Sequence, residues 1–185
     1  MLNNRAHHYI ALLRGINVGG NHSIKMVNLK TCFESMGYAD VLTYIQSGNV
    51  IFSSKETDKE VLTKKIENTL KETFGFLVPV VVVSATELKK TVTDAPKGFG
   101  EDQKKYRYDV FFLKNPLTAA EVLEQISVKE GVDSVAKGVG VVYFSRVIEK
   151  ATQSYLPKVI TLPIYKQMTI RNWNTTTKLL SLLEK

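Results

Sequence analysis

Apolar residues recur along this chain with two different periods, and the switches between them mark out its elements. Tyr9, Ile10, Ala11, Leu12 and Leu13 form a short continuous apolar run closed by glycines, which reads as a buried strand. Leu29, Cys32, Phe33 and Met36 then return at helical spacing, and Gly37 stands where a helix stops in the left-handed conformation. Val41 to Ile45 and Val50 to Phe52 flank Gln46-Ser47-Gly48-Asn49, a tight hairpin signal. Thr57 and Glu60 have capping-box spacing ahead of Leu62, Ile66, Leu70 and Phe74 on one helical face. Pro79 opens a β-branched strand over Val80 to Val83, after which Ser84 and Glu87 cap a helix through Leu88 and Val92.

Asp94 to Tyr106 is the most polar and turn-rich stretch, and it reads as an exposed connection between two halves. The alternation then repeats. Tyr108 to Leu113 is a strand, Thr118 and Glu121 cap a helix through Val122, Leu123 and Ile126, and Val132 to Val135 with Val139 to Phe144 make a second hairpin around Gly138 and Gly140. Pro157 and Pro163 predict a broken or short helix over 149–165. Met168 to Ile170 reads as an edge strand, and Asn174 is placed to cap a terminal helix with Leu179, Leu180 and Leu183 on its apolar face. Each half therefore follows the β-α-β-β-α-β order of ferredoxin-like folds. The expected fold class is α+β, a duplicated ferredoxin-like architecture with antiparallel sheets. Residues 1–95 form the first subdomain; residues 96–185 form the second and carry the extra C-terminal helix.

Composition narrows the chemistry only partly. At 185 residues and 44% hydrophobic the chain can bury a substantial core, and its formal charge of +7 favours anionic partners. One cysteine, Cys32, excludes an internal disulfide, and its helical position places it in the core. No stretch is apolar enough to span a membrane, so a cytoplasmic protein is expected. No GxSxG, HExxH, CxxC or dinucleotide fingerprint is present, and no metal site or cofactor is expected.

The candidate chemistry lies in three polar interruptions at the ends of apolar elements. Arg14, Gly15, Asn17, Gly19, Gly20 and Lys25 follow the first strand; Gln46, Ser47 and Asn49 form the first hairpin tip; Arg171, Asn172, Trp173 and Asn174 precede the last helix. Three glycines near an arginine can cradle a phosphate through backbone N–H groups, or can simply turn the chain over the sheet. Three readings of function follow. The segments meet in a composite site for a phosphate-bearing or other anionic small molecule, with Trp173 shielding the anion or stacking on a base. Alternatively the protein binds RNA or single-stranded nucleic acid, for which the charge alone predicts weak, salt-sensitive affinity; Tyr108, Phe111 and Phe112 read as core and not as a stacking platform. In the third reading the motifs are structural or serve protein interaction, and lock the two halves together.

LRGINVGG at 13–20, KM followed by Asn28-Leu29, TYIQSGNVIF at 43–52 and TIRNWNTTTKL at 169–179 together resemble the domain of unknown function 1697 family. The resemblance implies two ferredoxin-like subdomains that exchange their first strands, so that Tyr9 to Leu13 would pair within the second half's sheet. It implies no reaction and no assigned functional residues. The proline-rich stretch 155–165 departs from the family pattern.

Overall fold

The computed structural model describes residues 6–19 and 22–184. It is a mixed α/β structure that divides inside one helix into two compact units, one running to Glu87 and taking in the chain from Leu182, the other Leu88–Ser181.

In the first unit the order is β1 (His7–Leu13), α1 (Met26–Ser35), β2 (Ala39–Tyr44), β3 (Asn49–Ser54), α2 (Lys59–Phe74) and β4 (Val80–Ser84), followed by α3 (Ala85–Thr93) at the division. The strands form an antiparallel sheet in the order β2-β3-β1-β4. Tyr9, Ala11 and Leu13 share one face with Val50, Phe52, Val80 and Val82, and that face meets Leu29, Cys32 and Phe33 of α1 and Leu62, Ile66 and Leu70 of α2. Burial raises the Cys32 thiol above its ordinary value, as expected of a core cysteine.

First-strand exchange does not occur. β1 pairs from His7 to Leu12 with β3 and from Tyr9 to Leu13 with β4, so both of its edges are taken up within its own half. Unpaired backbone groups are what an exchange would need, and β1 has none to offer over that span. The cap of α2 also differs from expectation: Asp58, not Thr57, accepts from the N–H groups of Glu60 and Val61. The boxes at Ser84/Glu87 and Thr118/Glu121 form as read.

The second unit has β5 (Tyr106–Leu113), α4 (Ala119–Gln125), β6 (Asp133–Lys137), β7 (Val141–Val147), α5 (Leu156–Val159), β8 (Met168–Asn172) and α6 (Trp173–Leu183). Its sheet is antiparallel in the order β6-β7-β5-β8, with β8 at an edge. Phe111, Leu113, Val142, Phe144 and Met168 build its core with Val122, Val159 and Ile164. The proline-broken region is α5 between two 3₁₀ turns, with Pro157 and Pro163 in first-turn positions where the missing N–H is tolerated. Among the described residues no helix is long and apolar enough to cross a membrane.

Candidate functional site

In the first unit the loop after β1 and the tip of the β2-β3 hairpin come together. Asn17 holds φ +54°, a conformation asparagine tolerates better than most residues, and its side chain replaces a strand partner. Its Nδ2 donates to the carbonyls of Ile24 (3.0 Å) and Gln46 (2.9 Å), and its Oδ1 accepts from the Ile24 N–H at 2.8 Å. The Leu13 N–H donates to the Gly48 carbonyl at 2.8 Å. A Cβ on Gly48 would lie 2.8 Å from the Leu13 Cβ, so glycine is required at this approach. Asn49 is fully buried and donates to the Tyr44 carbonyl (2.9 Å) and the Ser47 hydroxyl (3.1 Å), closing the tip. Gly15 and Gly19 take positive φ; Gly20 lies outside the described residues. Arg14 is half-buried, with its N–H on the Pro79 carbonyl, while Lys25 and Ser47 are exposed. α1 begins after Lys25 with no side-chain cap and no acidic residue in its first turn.

The 171–174 turn belongs to the second unit. Arg171 is buried in β8, where its Nη1 donates to the Thr169 hydroxyl and the Ile170 carbonyl, both at 2.9 Å. Burial draws its pKa down to about 10. Asn172, not Asn174, caps α6: its Oδ1 accepts from the Asn174 N–H at 3.0 Å, while its Nδ2 donates to the Tyr108 carbonyl at 3.0 Å. The helix starts two residues earlier than expected because this side chain reaches both the strand and the helix. Trp173 is only 8% exposed and lies edge-to-face on Phe99, with ring centroids 5.1 Å apart. Its indole lies so close to Gly100 that a Cβ there would be 2.0 Å from Nε1.

Asn172, Trp173 and Asn174 line a cleft of about 370 Å³ together with Gln103, Tyr106 and Arg107. Arg171 does not line it; the arginine there is Arg107, which is exposed. Beside Asn172 sits Asp109, whose carboxyl is raised by burial; Arg146, the Asn172 amide and Arg107 pull the other way without overcoming it. The Arg146 guanidinium stands 3.8 Å from Asp109 Oδ2, which has no hydrogen-bond partner. Asp133, across from Arg146 in the ladder, ties down two loops by accepting from the N–H groups of Lys129 and Tyr155. A second cleft, of about 280 Å³, shares Tyr106 and Tyr108 with the first and adds Phe99, Tyr143, Ser134 and Ser145. Phe99 is the hub of its wall, edge-to-face on Tyr108 at 4.9 Å and on Tyr143 at 5.2 Å.

A family model described as protein of unknown function (DUF1697) matches residues 6–143. The chain belongs to the DUF1697 family. Among solved structures it is similar to the conserved bacterial protein SP0830 from Streptococcus pneumoniae, at 26% identity and a TM-score of 0.83, over 98% of this chain and 100% of that one. No curated protein matches it. The family match covers the first unit from residue 6 to Glu87 together with Phe99, Arg107 and Asp109, and ends before the 171–174 turn of this DUF1697 protein.

Sequence reading missed Phe99, Gln103, Arg107, Asp109 and Arg146. The sequence carries a signal for two of them: Asp109 is a lone acid in the apolar strand Tyr106–Leu113, and Phe99 is an aromatic between two glycines in a stretch that reads as an exposed connection. Tyr108, Phe111 and Phe112 are buried, so they offer no open stacking platform for RNA.

Proposed function

We propose that this DUF1697 protein binds a phosphate-bearing or other anionic small molecule in the cleft at the start of α6. The observation that carries this reading is the cleft's lining, in which Arg107 stands with Asn172, Asn174 and Gln103 at the first turn of an eleven-residue helix. A helix N-terminus carries roughly half a positive charge, and a guanidinium fits phosphate oxygens two at a time. The cleft volume of about 370 Å³ is that of a small-molecule pocket. In this reading Arg171 holds β8 and Trp173 anchors α6, while Asn17, Gly48 and Asn49 lock the loop of the first unit.

We also infer that each unit is ferredoxin-like, supported by the strand orders β2-β3-β1-β4 and β6-β7-β5-β8 with antiparallel neighbours throughout. A cytoplasmic setting is part of the proposal, and the single buried, unpaired Cys32 supports it.

Titrating pyrophosphate into ¹⁵N-labelled protein tests the site. Amide shifts are expected at residues 172–176, and Arg107→Gln weakens binding about tenfold, the scale of one charge-assisted hydrogen bond. Shifts confined elsewhere, or an affinity indifferent to Arg107→Gln, would overturn the reading.

A further inference from the structure

We infer that the ligand of this protein is a mononucleotide whose phosphate occupies the cleft at α6 and whose base occupies the neighbouring aromatic cleft. This rests on the anion reading above and adds the chemical class of the rest of the molecule. The two clefts have Tyr106 and Tyr108 in common, so a ligand crossing that wall touches both. Their chemistry differs as the two ends of a nucleotide differ. On one side stand Arg107 and the Asn174 side-chain amide, donors suited to phosphate oxygens, in a wall that Gln103 and Asn172 brace through the Gly100 and Tyr108 carbonyls. On the other, Phe99, Tyr106 and Tyr143 supply aromatic surface, and Ser134 and Ser145 supply hydroxyls that can donate to or accept from the edge of a base.

Tyr106 is the residue placed to do most of the stacking. It is half-buried while Tyr108 is buried, and the two rings sit 6.0 Å apart at 47°, so they do not stack flat on each other. The Lys105 ammonium lies 5.2 Å from the Tyr106 ring centroid, which puts positive charge beside that ring. The aromatic wall is preformed. Phe99 is held by Tyr108, Tyr143 and Trp173, and Tyr143 is pinned by its hydroxyl donating to the Thr91 carbonyl at 2.8 Å. Preformed walls lose little freedom when a flat ring enters.

Calorimetric titration of the full chain with AMP, GMP, CMP, UMP, ribose 5-phosphate and adenosine separates this inference from the reading beneath it. The expected result is that at least one nucleotide binds about fivefold or more tightly than ribose 5-phosphate, the lower end of base-stacking gains. That nucleotide should shift the amides of Ser134 and Ser145 as well as those of 172–176, and Tyr106→Ala should lower its affinity by a similar factor. If ribose 5-phosphate binds as tightly as every nucleotide and leaves Ser134 and Ser145 unmoved, the nucleotide inference falls and the anion site stands. If none of the phosphates binds, or adenosine binds as well as AMP, both fall. The comparison among ligands uses the unaltered protein, so a folding defect in the Tyr106 variant does not blunt it.

Discussion

Asp109 shows how far one residue's surroundings can move its chemistry. It sits in β5 among Tyr108, Val110 and Phe111, and burial raises its carboxyl despite an arginine 3.8 Å away. A raised value means the folded chain holds this proton more tightly than the unfolded chain does. The stability from that proton is present in full below the ordinary value of 3.8 and is lost as pH climbs through the raised folded value. Asparagine imitates the neutral acid. In urea melts at stepped pH, Asp109→Asn should therefore gain on the wild type as pH rises through that window; a stability difference flat with pH would show that the carboxyl is not raised. Asn17 and Asn49 carry a different lesson. Both are ligand-binding candidates by residue type, yet both spend amide hydrogens on backbone carbonyls, Asn17 joining its own loop to the hairpin tip and Asn49 closing that tip. An asparagine's donor and acceptor suit a backbone partner as well as a ligand, so residue type alone does not distinguish them.

At the scale of elements, the turn Gly98-Phe99-Gly100 organises the second unit's clefts. Its two glycines share a backbone conformation, φ +81° and +89°, but not an environment. A Cβ at position 98 meets nothing within 4 Å, whereas at 100 it collides with the indole of Trp173. Gly98→Ala should cost about 1 kcal/mol, the strain of a left-handed alanine. Gly100→Ala adds overpacking to the same strain and should cost about 2–5 kcal/mol. Denaturant midpoints of the two variants measure the difference, and equal losses would mean that Trp173 does not rest on Gly100. Cap positions illustrate how local chemistry reads correctly in kind and slips in place. The start of α2 moved by one residue to Asp58 and the start of α6 by two to Asn172, because capping depends on which side chain the incoming backbone directs at the first N–H groups.

On the scale of the whole molecule, charge is the property that the complete chain sets. A net +7 predicts weak binding to single-stranded nucleic acid whose log affinity falls with log salt by about 0.7 per phosphate contact. Fluorescence anisotropy with a labelled oligonucleotide should show this binding fade between low and physiological salt. Affinity that survives high salt, or that prefers a sequence, would point instead to a dedicated nucleic-acid surface. The duplication is also a whole-chain property. Two sheets of matching strand order arise from two different sequences, and the second replaces a continuous helix with α5 and its flanking 3₁₀ turns without losing the order.

The sequence alone determined the elements and their kinds, because strands and helices follow from periods of apolar residues and from local turn chemistry within a few positions of each other. It also marked the glycine loop, the hairpin tip and the turn before α6 as places where the apolar pattern breaks. Tertiary structure decided the rest. β1 took its partners from its own half, Arg171 went inward while Arg107 reached a cleft, and Phe99 left an apparently exposed stretch to form an aromatic wall. Each of these outcomes depends on which surfaces meet across long separations in sequence. Pairing, burial and cleft formation are properties of those meetings, and no window of neighbouring residues contains them.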